Sequence, residues 1–385
     1  MKETSIRENL TSIRGRPLKK SDNCMSFVGI RGIQAGREYY TVMCPLKMIP
    51  KIFLFDEEEL SAELRAQRTL NKARIPELAK YLCDNQKSYI FSSITASIDG
   101  DARFEPFAEA GDASDAGRLQ IPMTARFLIN DGQHRRAAIE QALREYPELG
   151  DESISVVFFI DGGLKRSQQM FADLNRHAIR PTKSLGILYD RRDPLSQLAC
   201  RLATDVTVFR NMTDMERTSI PNRSNKLHTL SSIYQATQTL LGKKKKCRIS
   251  AEEESLAIDF WEAVGKSMPD WQLASAKKAS CAELRKEYIH SHGIALQAIA
   301  IAGAALLADQ PRGWKRRLKD LSKVDWSRSN ESDWDGRALV RGRVSKARDH
   351  VQLTANLLKT ALGLKLSTTE QKLENRLAKE RKSAA

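Results

Sequence analysis

Two periodicities divide the chain. In the first half, apolar and polar residues alternate in short runs. From residue 27 to residue 44 the alternation is that of strands, and Gly36-Arg37 punctuates a hairpin before the run Tyr39 to Met43. Cys44, Pro45 and Pro50 then turn the chain towards a helix. Asp56 to Glu59 opens another helical stretch, and residues 74–82 form an amphipathic helix with Pro76 near its start. Residues 89–98, rich in β-branched and aromatic side chains and closed by Asp99-Gly100, predict a strand. After a small-residue acidic loop over 108–117, residues 119–123 and 125–129 predict two more. Residues 154–160 are apolar and short enough for a buried strand, and Asp161 to Gly163 end it. A helix over 164–174 would turn Met170, Phe171 and Leu174 to the core.

Beyond Asp190 the strand signal fades and apolar residues recur every three to four positions. Helices are predicted over 194–204, 224–241, 251–267, 280–290 and 294–308. The last of these is the most apolar run, but a bilayer needs about 20 such residues, so it reads as a buried helix. From Ser367 the chain is a charged helix or tail whose Leu373/Leu377 stripe offers an oligomerisation surface. The pattern predicts an α+β protein. It has a flexible basic arm (1–25), a mixed α/β domain (26–190), a mainly α-helical domain (191–365) and a charged C-terminal helix or tail (366–385).

Length and charge sharpen this division. At 385 residues the chain exceeds one typical core of about 150 residues. Lys and Arg number 63 against 48 Asp and Glu, a net +15, which favours a polyanionic partner. Residues 1–190 hold 27 basic and 26 acidic side chains, whereas residues 191–385 hold 36 and 22. One half therefore suits a chemical or ligand site and the other a phosphate backbone. The six cysteines are scattered without Cys-x-x-Cys spacing or a nearby His pair, arguing against zinc and disulfides. With no signal-peptide layout either, the expectation is a soluble cytoplasmic protein.

Chemistry concentrates at two places. The first is the junction of an apolar strand and a helix, where Asp131, Gly132, Gln133, His134, Arg135 and Arg136 precede Ala137, Ala138 and Ile139. Free N–H groups at a helix start favour an anion, and two Arg add bidentate donors, so phosphate is the natural guest. A solvated strand-to-helix turn would show the same Asp-Gly step; the density of functional side chains sets this one apart. The second place is Asn175, Arg176, His177, Arg180, Thr182, Lys183 and Ser184 before a new helix at 184–189, a phosphate-binding turn or a basic surface loop.

Basic clusters in the second half supply candidate phosphate contacts to DNA: Lys243, Lys244, Lys245, Lys246 and Arg248, then Arg312, Lys315, Arg316, Arg317, Arg341 and Arg343. Solvated surface is the alternative use of such runs. Trp314, Trp326 and Trp334 interleave with the second cluster and suit base stacking or, more simply, core packing. Helix 224–241 is either a recognition helix or a core helix with a basic start. Cys44, ahead of a Pro-initiated helix, is either a redox-responsive thiol or a buried inert one.

Three segments carry a resemblance: residues 31–40 (RGIQAGREYY), 131–135 (DGQHR) and 171–185 (FADLNRHAIRPTKSL). Together they closely resemble the DndB family of bacterial DNA sulfur-modification (phosphorothioation) systems, from about residue 25 to at least residue 240. The resemblance implies a component encoded beside the sulfur-insertion enzymes but not itself inserting sulfur, chiefly a DNA-binding transcriptional repressor of the modification operon. DGQHR domains are also similar in layout to the ParB/sulfiredoxin-like fold. That likeness implies a nucleoside triphosphate held by Gly132, Gln133, Arg135 and Arg136 and closed over by Asn175 and Arg180, with a Mg²⁺ that Asp131 could help hold and with His134 a departure from the ParB pattern. On this second reading the protein is a nucleotide-dependent switch or NTPase, with Asp131 or a water on Gln133 as activating element. A third is an assembly partner of the sulfur-transfer enzymes.

Overall fold

The computed structural model describes residues 23–53, 74–162, 166–176, 181–244 and 247–384. The N-terminal arm up to residue 22, the helix expected at Asp56 to Glu59, the start of the helix expected at 164, His177 to Arg180, and Lys245 and Lys246 lie outside them. Among the described residues helices make up 52% and strands 19%, a mixed α and β composition. The chain separates into two compact units, Met1–Ile179 and Arg180–Ala385.

The first unit is built on a seven-stranded sheet in the order β4-β5-β1-β2-β7-β3-β6. Its strands are β1 (Cys24–Gln34), β2 (Arg37–Pro45), β3 (Ile94–Asp99), β4 (Arg103–Pro106), β5 (Ala116–Pro122), β6 (Arg126–Asp131) and β7 (Ser153–Ile160). Only β3 and β7 pair in parallel; all other neighbours are antiparallel. Val42, Cys44, Ala96, Ile98, Leu119, Ile121, Val156 and Phe158 point to one face and are buried, as alternation along a strand requires. That face is covered by α1 (Ile49–Ile52), α2 (Arg74–Asp84) and α3 (Gln133–Glu145), which packs on both others and buries Ala138, Ile139 and Ala142. Helix α4 (Ser167–Arg176) packs on β6.

Three expectations in this unit change. The strand expected over 89–98 begins only at Ile94, because residues 89–93 run alongside α2 and engage polar groups there: the Ile90 N–H donates to the Tyr81 hydroxyl (3.0 Å). Strand β4 carries too short a signal to be foreseen. Leu174 does not turn to the core; it is 43% exposed.

The second unit is mainly helical: α5 (Lys183–Tyr189), α6 (Pro194–Asp205), α7 (Leu230–Leu240), α8 (Ala251–Lys266), α9 (Pro269–Ser275), α10 (Cys281–Glu287), α11 (Gly293–Asp309), α12 (Trp314–Leu318), α13 (Glu331–Trp334), α14 (Arg348–Ala361) and α15 (Thr368–Ala384). The unit begins ahead of position 190 because α5 packs against α6 and α7, and the buried Ser184 hydroxyl donates to the Arg217 carbonyl (2.7 Å). The apolar run 294–308 is the central helix α11, between α7 and α14. Gly303 within it lets the Phe260 ring lie against the backbone, where a Cβ would approach to 2.2 Å.

The three tryptophans of the basic region are core residues: Trp314, Trp326 and Trp334 are buried, the last two with stacked rings 5.3 Å apart. The stretch 224–241 is not one long helix. Turns and a two-residue strand precede α7, and eight of the eleven residues of α7 are buried, which removes it as a recognition helix. Nor is the Leu373/Leu377 stripe an open surface. Leu377 is 5% exposed, and α15 is tied down within the unit by a bidentate Arg337–Glu374 pair (both contacts 2.7 Å) and by Lys359–Glu370 (2.6 Å).

Candidate functional site

The Asp131 turn follows from how β6 ends. Thr95 pairs with Asp131 and Ala96 with Ile129, so Asn130 is an extra residue in a β-bulge. Asn130 is fully buried; its amide donates to the Ser97 hydroxyl (2.8 Å), while its Oδ1 has no partner among the described residues. Gly132 then reverses the chain at φ +109°, and a Cβ there would stand 3.0 Å from Ile94 Cγ1 and 3.1 Å from an Arg135 nitrogen. Helix α3 starts at Gln133 without a side-chain cap, so no side chain of the N-cap competes for its first N–H groups.

The two arginines part ways in one helical step. Arg135 pairs with Asp131 (2.9 Å) and donates to the Ser93 carbonyl (2.9 Å) through the same terminal nitrogen, and its buried Nε has no partner among the described residues. Arg136 is 9% exposed and already committed: Nε donates to the Phe53 carbonyl (2.9 Å) and a terminal nitrogen meets Glu140 (2.6 Å). Gln133 donates to the Ile129 carbonyl (3.1 Å), which closes the strand-to-helix step. Burial, and then the charges of Arg74 and Arg135, hold the His134 imidazole below its ordinary pKa against the opposing pull of Asp131. Arg74, brought in by the packing of α2 on α3, is a residue that sequence reasoning missed; its separation of some sixty positions gives no local signal.

This arrangement offers an acceptor-seeking guanidinium edge, an uncapped helix start and one carboxylate. Among the described residues no group of three or more His, Cys, Asp or Glu could hold a metal ion. A Mg²⁺ at Asp131 would therefore take its other ligands from phosphate and water, as Mg²⁺ commonly does.

The second cluster divides. His177 and Arg180 lie outside the described residues, as do the side-chain placements of Asn175 and Arg176. Thr182, Lys183 and Ser184 belong to the second unit. Thr182 caps α5 by accepting from the Leu185 N–H (3.2 Å) and donates to the Glu216 carbonyl; Ser184 is buried; Lys183 is exposed. Two of the three are thus engaged in folding. Cys44 sits inside the β-sheet core, fully buried, with burial pushing its thiol up to about 12, surroundings that favour an inert thiol over a redox-responsive one. The 31–40 motif forms the β1–β2 hairpin, where Arg31 meets Asp115 (3.1 Å) and Glu38 (3.4 Å) and the Tyr40 hydroxyl donates to Glu38 (2.6 Å).

The basic clusters of the second unit also sort themselves. Lys243 pairs with Glu253 (2.7 Å), Lys315 with Asp259 (2.6 Å) and Arg317 with Asp320 (3.7 Å). Lys244, Arg248, Arg312, Arg316, Arg341 and Arg343 are exposed, with no acidic partner among the described residues. Arg341 and Gly342, both at positive φ, form the tip of a small hairpin pairing Val340 with Arg343. Arg328 braces that tip by donating to the Gly342 carbonyl (2.8 Å).

The family model DndB, described as DNA-sulfur modification-associated, matches residues 27–365. No curated protein and no solved structure matches the chain. No helix of the described residues is long and apolar enough to cross a membrane.

Proposed function

The chain belongs to the DndB family of DNA-sulfur modification-associated proteins, and from that premise we propose that it is a DNA-binding regulator, a repressor of the genes of the DNA sulfur-modification system. The observation that carries this reading is where the charge lies. The first unit holds 25 basic and 25 acidic side chains and the second 38 and 23, so the whole surplus of 15 belongs to the helical unit. A surplus of that size on one unit is the electrostatic footprint of a polyanion binder. Arg312, Arg316, Arg341 and Arg343, with Lys244 and Arg248, are the side chains among the described residues that would meet phosphates, since Lys243, Lys315 and Arg317 are already neutralised.

The test is binding of duplex DNA from upstream of the protein's own gene cluster, followed by fluorescence anisotropy over a salt series and by footprinting. Affinity should fall linearly in log–log form, with a slope of roughly −0.9 per phosphate neutralised, and should survive Asp131→Asn. Salt-independent binding, or no protected segment in that DNA, overturns the regulator reading.

A second reading, a ParB-like nucleotide-dependent switch or NTPase, is favoured by one specific feature: the buried Arg135 Nε without a partner beside an uncapped helix start. Calorimetry with each of the four ribonucleoside triphosphates and Mg²⁺ should show binding that Arg135→Ala abolishes. Absence of binding to all four, with and without DNA, ends it. An assembly role beside the sulfur-transfer enzymes would instead appear as a complex that survives nuclease treatment of the lysate.

A further inference from the structure

The second unit holds a half-open cavity of about 860 Å³ whose lining comes entirely from that unit. The volume lies within the range of small-molecule sites. Its wall contains a cation with no counter-charge. Arg285 is 9% exposed, and its guanidinium donates to the carbonyls of Pro221 (3.0 Å), Asn222 (2.9 Å), Ser224 (3.0 Å) and Lys226. These acceptors engage the two terminal nitrogens but carry no negative charge, and no carboxylate pairs with Arg285 among the described residues. A buried charge left in that state draws an anion.

A second wall residue lacks a partner altogether. His228 is 1% exposed and lines the cavity, with its ring edge-on to Phe209 and Trp271, and neither ring nitrogen has a hydrogen-bond partner among the described residues. Burial, then the charges of His290, His292 and Arg285, lower its pKa to about 3, so the ring is neutral and has one N–H to donate and one nitrogen to accept. Buried polar atoms are nearly always partnered, and this unpartnered ring belongs to a residue that lines the pocket.

The third feature is the start of α11. Its N-cap, His292, makes no side-chain cap, and its first residue, Gly293, leaves room for Lys346, whose Nζ would stand 2.5 Å from a Cβ at that position. Lys346 lines the cavity, is exposed, and has no acidic partner among the described residues. Arg328 and Lys286, the latter paired with Glu287, complete the cationic part, against a single lining carboxylate, Glu283. The remainder of the lining includes the apolar Ile220, Leu227, Ile294 and Val344.

An anion alone would leave most of this volume and its apolar side unused. We propose that the cavity binds a nucleoside phosphate, the phosphate against Lys346, Arg328 and the start of α11, and the base on the apolar side with His228 as its hydrogen-bonding partner. The phosphate belongs either to a free nucleotide or to a nucleotide of a DNA strand, and the chemistry of recognition is the same.

The full-length protein would be titrated calorimetrically with AMP, GMP and ATP, and separately with a short DNA duplex, inorganic phosphate serving as competitor. Lys346→Glu and Arg328→Glu, whose side chains reach the surface, should weaken binding at least tenfold with unchanged circular dichroism. His228→Phe keeps the ring contacts with Phe209 and Trp271 and should reduce discrimination among bases. Arg135→Ala should leave this binding intact, which separates it from the Asp131 turn. Weakening of free nucleotides supports a small-molecule effector; weakening confined to the duplex and produced by Lys346→Glu, which leaves the Arg328 brace on Gly342 in place, supports a DNA phosphate in the cavity. If Lys346→Glu and Arg328→Glu change neither, or if Arg135→Ala alone removes nucleotide binding, the proposal is overturned.

Discussion

Arg135 and Arg136 are adjacent and chemically identical, yet one faces a turn of functional side chains and the other ties α3 to the Phe53 carbonyl. Removing Arg136 leaves a buried carbonyl without its donor and Glu140 with only the exposed Arg144 as its cation. Arg136→Ala should therefore lower stability by about 2–3 kcal/mol, measured by urea unfolding, whereas Arg135→Ala should cost less and act on ligand binding. The sequence could not separate the two, because a run of polar residues at a helix start does not say which of them the neighbouring strand end will cover. Gly132 was legible as a turn. Its φ of +109° makes Gly132→Ala destabilising by roughly 1–2 kcal/mol, with the Asp131–Arg135 contact disturbed as well. His228 gives a pH signature. Its folded pKa, about 3, lies below the ordinary value of 6.5, so the unfolded chain binds the extra proton, and stability present above that ordinary value is lost as pH falls. Between pH 7 and pH 5 the loss should approach roughly 2 kcal/mol, and the urea midpoint of His228→Phe should fall less over the same interval.

Among the elements, hairpins and long helices were legible where local chemistry decides them. The β1–β2 turn was announced by Gly36, and the two-residue turn is of the mirror-image kind that matches strand twist, with Ala35 at φ +50° and Gly36 at +73°. Ala35 holds a conformation that asparagine tolerates better, so Ala35→Asn should stabilise the first unit by up to about 1 kcal/mol, read as a rise in its melting temperature. What stayed illegible depends on partners distant in sequence. Strand β4 is four residues long and exists because β5 offers it an edge. The bulge at Asn130 is a property of the β3–β6 register and not of either strand alone. Helix α7 has a basic approach, which is why it could be mistaken for a reading helix, but its own residues are apolar or small on nearly every side and pack against α11 and α6. The cavity was missed for the same reason: Arg285, His228, Lys346 and Gly293 come from separate stretches, and none belongs to a dense motif.

At the scale of the whole molecule the question is whether DNA responds to the net charge of the protein or to the particular unit that carries it. The asymmetry is visible in the amino-acid sequence alone, since charge is counted along the chain; its sharpness is not, because the boundary at Arg180 depends on how α5 packs. A neutral first unit and a second at +15 make opposite predictions for equal changes of charge. Arg341→Glu/Arg343→Glu in the second unit and Arg37→Glu/Arg118→Glu in the first alter net charge by the same amount, and all four side chains are exposed. If long-range attraction alone held the duplex, both variants would weaken binding alike, and screening over about 8 Å at physiological salt would shrink both effects together. If phosphates meet Arg341 and Arg343 directly, only the first variant should lower affinity strongly, and its log–log salt slope should become shallower by about 1 for each phosphate no longer neutralised. The hairpin favours direct contact, since Arg328 holds the Gly342 carbonyl and so fixes the tip that bears both arginines. Anisotropy titrations of the two variants over the same salt series decide between these alternatives, and equal slopes would move the DNA contact away from this hairpin.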